Sequence, residues 1–311
     1  MESNNMGEML VSSWFHLHPS VPASYVQPPE SQPGEQPVAS GKTIPVIDLG
    51  GHHDHEDTLN LILKASQEYG FFQVINHGVC EELIKDTLKI FKEFHGMDPK
   101  EKMKESSKDP NGTCKLYTSR EVSKEEIVGK YTQELRRLGL KILKMIAKGL
   151  GLKEEYFNGS LSENPLVLAH HYPPCPEPSL TLGAPKHRDP SLITFLLQDD
   201  DEAIHYNALQ VFKDGQWIGV DPIPNAFVVN VGHLLEIISN GRLIGAEHRV
   251  VTNASSGRTT VAYFINPTEE TVIEPAKALI NATTPPFYPS ISYTQFRRDF
   301  LSQGNGFGLK N

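Results

Sequence analysis

Between Leu166 and Ile265 the chain breaks into short runs of apolar and β-branched residues, cut apart by Pro, Gly and Asn. The runs are Leu166 to Tyr172, Leu192 to Gln198, Ala208 to Phe212, Trp217 to Val220, Ala226 to Val231, His248 to Thr252 and Thr259 to Ile265. Each is too short for a helix that could bury a face, and turn residues bound each one, so the pattern predicts strands. Lys213-Asp-Gly-Gln216 joins two of them as a hairpin. Many short strands at close spacing restrict the fold to a sandwich or a closed double sheet.

The texture upstream is helical. Strands are expected at Ile44 to Leu49 and from Phe71 into a turn at Gly78, where His77 reads as a hydrogen-bonded turn residue. Helices are expected from Thr58 to Gly70, from Glu81 to Phe94, briefly from Asp98, and from about Ser123 to Gly149. The last places Leu135, Leu138, Ile142, Met145 and Ile146 on one face, with Arg136, Arg137, Lys141 and Lys144 towards solvent, and Gly149-Leu-Gly151 ends it. The fold class is therefore mixed α and β, with a helical layer supporting a β core. Residues 19 to 43, rich in Pro, Ser, Gln and Glu, read as a mobile arm. The loop Gly50-Gly-His-His-Asp-His-Glu-Asp57 reads as a solvated helix cap.

One stretch carries chemistry. In Pro185-Lys-His-Arg-Asp-Pro190 an imidazole and a carboxylate lie two residues apart, at the mouth of an apolar run. If the strand takes in both, they point to one face. His248, 61 residues on, opens another short strand and is the best third ligand. Two His and one carboxylate on one face of an octahedron leave the other positions open, as in non-haem Fe(II) sites. Further on, Arg258 and Thr260 share a face, and a guanidinium beside a hydroxyl suits the far end of a dicarboxylate. The competing reading for Arg258 is a surface ion pair with an acid such as Glu247.

Composition narrows the partners. A net charge of −9 argues against nucleic acid or an anionic membrane, since both reward basic surfaces. Cys80, Cys114 and Cys175 form neither a disulfide framework nor a metal knuckle, and no signal peptide or membrane span is legible. The expectation is a cytoplasmic monomer acting on a small molecule.

Six segments carry a more specific likeness: His170-His-Tyr-Pro-Pro-Cys-Pro-Glu-Pro178, His187-Arg-Asp-Pro190, Leu209 to Trp217, Pro224 to Gly232, His248-Arg-Val-Val-Thr252 and Arg258-Thr-Thr260. Their order and spacing resemble the plant 2-oxoglutarate/Fe(II)-dependent dioxygenases. Ile44 to Leu49 and Gly70 to Gly78 resemble the same family's N-terminal region. The likeness is strongest to the branch holding downy-mildew-resistance-type and hyoscyamine-6-hydroxylase-like enzymes. It implies a double-stranded β-helix (jelly roll) at residues 158–300, an N-terminal helix and strand region at 44–157, an arm at 1–43 and a tail at 301–311. It also implies that His187, Asp189 and His248 bind Fe(II) and act catalytically, that Arg258 and Thr260 hold the C5 carboxylate of 2-oxoglutarate, and that Tyr172 hydrogen-bonds this cosubstrate. O2 and ascorbate complete the chemistry. Hydroxylation or desaturation of a small plant metabolite or hormone would then release succinate and CO2.

Two departures stand out. His170 occupies a position that is usually Asn, and it keeps hydrogen-bonding ability beside the cosubstrate. Members of that branch also carry roughly thirty residues more where Ser119 here runs into Arg120, and loss of that piece would leave neighbouring backbone groups unpaired. The alternative to an active enzyme is therefore a catalytically impaired member that binds without turnover.

Overall fold

The computed structural model describes residues 18–33, 38–51, 55–98, 101–102, 122–199 and 207–303, together with Val11 and Phe15. In chain order the elements are β1 (Val46–Asp48), α1 (His55–Glu68), β2 (Phe71–Ile75), α2 (Glu81–Gly96), α3 (Val122–Gly149), β3 (Leu166–Tyr172) and β4 (Leu182–His187). They continue as β5 (Ile193–Gln198), β6 (Leu209–Lys213), β7 (Gln216–Gly219), β8 (Phe227–Val231), α4 (His233–Ile238) and β9 (His248–Val251). The last are β10 (Arg258–Ile265), β11 (Val272–Ile273), β12 (Ile291–Ser292) and α5 (Tyr293–Gln303). The strands form a major sheet in the order β1-β2-β8-β5-β10-β3 and a minor sheet in the order β4-β9-β6-β7. Apart from the parallel β1–β2 pair, both sheets are antiparallel. This is the expected jelly roll with helices on one side.

The side-chain period of two explains how one sheet serves two purposes. On β5 and β10, Phe195, Leu197, Val261 and Tyr263 are buried with the helical layer, in a core shared with Leu135, Leu138, Ile142 and Ile146 of α3. The alternate residues, Thr194, Leu196, Arg258, Thr260, Ala262 and Phe264, line a cavity on the other face. Gly139 sets how closely α3 approaches, because a Cβ there would meet Ile265 Cδ1 at 2.3 Å and Phe195 Cε2 at 3.1 Å. A second core, including Ile44, Phe71, Leu209, Val211, Val228 and Val250, lies between the sheets. Ile142→Ala, in the centre of α3, should cost about 2–5 kcal/mol of stability in a denaturant titration, the usual range for such a cavity.

The helix stop is as expected. The Leu152 N–H bonds Ala147 O at 2.9 Å and the Gly151 N–H bonds Lys148 O at 3.0 Å, with Gly151 at φ 76°, a Schellman ending. Arg136 corrects the solvated face: it is half-buried, and its Nη1 donates to Ser162 O at 2.7 Å. The arm is also corrected where it is described, because it is docked. The Val21 N–H bonds Glu177 Oε2 at 2.8 Å, the Gln27 N–H bonds Leu180 O at 2.8 Å, and the Ala39 N–H bonds Trp217 O at 2.8 Å. An extended Pro-rich chain leaves its remaining N–H groups open, and here those of Val21, Gln27 and Ala39 find acceptors outside the arm while those of Tyr25, Val26, Ser31 and Gln32 bond within it. α5 runs to Gln303, across the boundary expected at residue 300. The histidines at 52 and 53 lie outside the described residues, as does the Ser119–Arg120 junction. Among the described residues no helix is long and apolar enough to cross a membrane.

Candidate metal and cosubstrate site

His187 and His248 meet because β4 and β9 pair antiparallel with these two residues opposite each other. Their ring centroids are 4.1 Å apart. One detail of the sequence reading is corrected: His187 ends β4 and Asp189 lies past it, in the loop to β5, so the two do not share a strand. The loop brings the carboxylate back. Asp189 Oδ1 stands 3.6 Å from His187 Nε2 and 3.6 Å from His248 Nε2. The three potential ligand atoms lie within 4.8 Å of one another.

Each group is held by its other polar atom. His187 Nδ1 is 2.7 Å from Pro185 O and His248 Nδ1 is 3.2 Å from Ala246 O. A carbonyl can only accept, so each Nδ1 carries a proton and each Nε2 is the ring atom turned towards Asp189. Asp189 Oδ2 accepts from Thr194 Oγ1 and Asn230 Nδ2, both at 2.6 Å, which leaves Oδ1 for the centre. The Ser191 hydroxyl, 3.1 Å from Thr194 Oγ1, extends this chain. The imidazoles thus belong to the minor sheet, while the carboxylate is tied to β5 and β8 of the major one.

Burial, reinforced by the neighbouring His187 and opposed by Asp189, lowers the His248 pKa to about 4. A histidine buried neutral contributes stability that is present above its unfolded pKa near 6.5 and is lost as pH falls towards the folded value. Thermal unfolding of metal-free protein should therefore show a falling midpoint between about pH 6.5 and about pH 4, whereas a flat profile would mean that burial does not depress the His248 pKa in the folded state.

A second cluster faces the same cavity. β10 and β3 pair so that Arg258 lies opposite Tyr172 and Thr260 opposite His170. Arg258 is 1% exposed, which excludes the surface ion pair, and Glu247 instead meets Lys186 at 3.2 Å. Arg258 Nη2 donates to Gln198 Oε1 at 2.6 Å, and the guanidinium carbon is 5.8 Å from the centre of the Tyr172 ring. The His170 ring stacks 6.1 Å from that of Tyr172. Burial lowers the His170 pKa, with Asp189 opposing. His171 points to the opposite face, with Nδ1 2.9 Å from Thr259 Oγ1 and its ring stacked on His95 at 5.4 Å. His77 is the expected turn residue, with Nε2 3.0 Å from Asn225 O.

Thr194, Asn230 and Gln198 were not anticipated. A signal existed: Asn230 is polar inside a strand whose five residues are all buried, a position that demands a partner. The cavity measures about 1030 Å³. The triad, Arg258 and Thr260 line it together with Leu166, Leu168 and Phe264 of the sheet and Tyr293, Arg297 and Phe300 of α5.

Comparison with known proteins agrees with this geometry. Residues 163–267 match the 2OG-Fe(II) oxygenase superfamily, and residues 44–139 match the N-terminal family of non-haem dioxygenases in morphine synthesis. Protein DOWNY MILDEW RESISTANCE 6 of Arabidopsis thaliana is 37% identical, over 96% of each chain, and hyoscyamine 6-dioxygenase of Hyoscyamus niger is 38% identical, over 94% of each. The first alignment spans 333 positions, more than the 311 residues of this chain, so the relative carries positions that are missing here. The crystal structure of JOX2 in complex with 2OG, Fe and JA superposes with a TM-score of 0.78 at 31% identity, covering 91% of this chain and 90% of that one. Likeness to enzymes over nearly their whole length favours catalysis over a binding-only role. The chain belongs to the 2OG-Fe(II) oxygenase superfamily and is a 2-oxoglutarate-dependent dioxygenase that uses Fe(II).

Proposed function

We propose that His187 and His248, through Nε2, and Asp189, through Oδ1, hold the Fe(II), and that Arg258 and Thr260 hold the distal carboxylate of 2-oxoglutarate, flanked by Tyr172 and His170. The observation that carries this reading is the meeting of three ligand atoms within 4.8 Å at a cavity whose wall also bears a buried arginine. The donor set fits a ferrous ion, since imidazole and carboxylate on one face leave positions for a bidentate keto acid and for O2. The metal supplies the oxidative chemistry, and this chain's residues set geometry and exclude water.

The substrate is a small, largely apolar plant metabolite or hormone. Leu166, Leu168, Ala262 and Phe264 supply an apolar part of the cavity wall, with Glu269 and Arg297 also lining it. Leu166 and Leu168 remain 47% and 40% exposed, which leaves this wall open towards solvent for entry. The reaction is hydroxylation or desaturation with release of succinate and CO2, ascorbate keeps the iron reduced, and the working form is a cytoplasmic monomer. The test is succinate formation by purified protein given Fe(II), 2-oxoglutarate and a panel of flavonoids, phenolic acids, alkaloids and hormone acids. Succinate that needs both iron and keto acid supports the reading, and none with any member of the panel sinks it.

The groups that hold Asp189 offer a finer check. Asn230→Ala should weaken metal binding by roughly 10–100-fold, because a ligand that loses its supporting hydrogen bond loses orientation. Unchanged Co(II) affinity in that variant would mean that Asn230 does not orient Asp189 for the metal and that Thr194 suffices.

A further inference from the structure

Behind the metal site lies a buried ionisable cluster that the reaction itself does not use. Glu236, on α4, accepts from the Tyr288 hydroxyl at 2.8 Å through Oε1 and from the Gly245 N–H at 2.9 Å through Oε2. His233 Nδ1 stands 3.6 Å from Oε2, at ion-pair distance. Burial works to raise the Glu236 pKa, but His233, Tyr288 and the Arg188 guanidinium outweigh it and hold the carboxyl down to about 2. A carboxylate this buried persists only where its lone pairs are satisfied, and here the donors come from separate segments.

Those segments are the ones that carry the metal ligands. Gly245 precedes Ala246, whose carbonyl orients the His248 ring. On the other side the His233 N–H bonds Asp189 O at 2.8 Å, the Leu234 N–H bonds Ser191 O at 3.1 Å, and Arg188, next to His187 and Asp189, is near enough for its charge to favour the Glu236 carboxylate. Close approach of the two sides needs glycine at 245, because a Cβ there would lie 2.9 Å from Glu236 Oε2 and 3.2 Å from His233 Cα. Tyr288 ties in a third segment, the one leading to α5.

We propose that Glu236 is a positioning residue for the metal centre, its carboxylate clamping the backbone that carries Asp189 to the backbone that carries His248, with Tyr288 fixing the carboxylate. The proposal rests on the ligand assignment above and adds a residue that touches neither metal nor substrate. Glutamine in place of Glu236 removes the charge and puts an NH2 where one oxygen stood, so the Gly245 N–H either meets a second donor or keeps only a neutral acceptor, roughly half as strong. The backbone at 245–246 is then free to shift, and the His248 ring with it.

The test is Co(II) titration of the full chain, following the visible bands that report coordination geometry, at a temperature where every variant is folded. Glu236→Gln should bind Co(II) about tenfold more weakly with shifted bands, and Tyr288→Phe should move affinity and bands the same way by a smaller factor. Asn240→Ala is the packing control: Asn240 Oδ1 accepts from the Phe287 N–H at 2.8 Å and Nδ2 donates to Pro285 O at 3.0 Å, next to Tyr288 but away from Gly245. It should lower the melting temperature and leave Co(II) affinity and bands as in the wild type. Wild-type binding and bands in Glu236→Gln overturn the proposal, as does an Asn240→Ala variant that weakens Co(II) as much. Should Glu236→Gln fail to fold, Tyr288→Phe decides, and unchanged affinity and bands there overturn it. Wild-type protein that takes up no Co(II) overturns the ligand assignment and this proposal with it, whereas uptake that Glu236→Gln matches overturns this proposal alone.

Discussion

Asp189→Asn is expected to bind divalent metal more than 100-fold less tightly than the wild type and to make no succinate, while losing little stability. The carboxylate does two things. Oδ1 faces both imidazole Nε2 atoms at 3.6 Å, and Oδ2 receives Thr194 and Asn230. Asparagine keeps a carbonyl oxygen for those two donors, so the buried hydroxyl and amide stay satisfied. It turns an uncharged NH2 towards the metal, and that group is not a ligand. Supporting hydrogen bonds alone are worth roughly 10–100-fold in metal affinity, so loss of a ligand must exceed that range. Asp189→Ala should lose metal equally and also unfold more readily, since leaving two buried donors without an acceptor costs about 1–3 kcal/mol each. The pair of variants therefore separates ligation from folding. Metal affinity of Asp189→Asn within tenfold of the wild type would remove the carboxylate from the centre.

What could be read from the sequence follows physical lines. Strands buried on both faces announce themselves by continuous β-branched runs, and β5, β8 and β10 were read from that signal to within a residue or two. β4 was not read as a strand. Leu182-Gly-Ala-Pro-Lys-His has little apolar content, and its pairing with β9 is irregular, with register shifts on either side of Ala184. That gap explains why His187 and Asp189 read as sharing one strand, whereas the loop after β4 brings the two side chains together. α4 was missed because six residues, all buried, have no amphipathic period to detect. The short strand at His248 pointed to the distant histidine, and the likeness to a family supplied the roles of the group as a whole. Thr194, Gln198 and Glu236 stayed hidden because their significance comes from contacts made across the fold. Glu236 in particular reads as an ordinary helix carboxylate until the segments beside it are seen to lead to His248 and Asp189.

Arg258→Gln should weaken 2-oxoglutarate by about 2–5 kcal/mol, roughly 30- to 5000-fold in dissociation constant, and leave Co(II) affinity as it was. The guanidinium is almost wholly buried, and Gln198 Oε1 aims its fork at 2.6 Å. A carboxylate brought into this wall exchanges water for charge-assisted hydrogen bonds in a poorly screened site, and a neutral amide cannot replace them. Lysine should not rescue the loss, because a flexible point charge lacks the planar pair of donors that matches a carboxylate. Weakened binding alone could come from a damaged wall, so the decisive measurement compares two ligands. 2-Oxobutyrate keeps the keto acid that chelates the metal but has no distal carboxylate. Wild-type protein should prefer 2-oxoglutarate over it by the same factor that Arg258→Gln loses, and the variant should bind the two almost equally. Both constants are read by calorimetry on Co(II)-loaded protein. If Arg258→Gln keeps the wild-type preference, the distal carboxylate has its partner elsewhere on the wall, with Thr260 and His170 the next residues to replace.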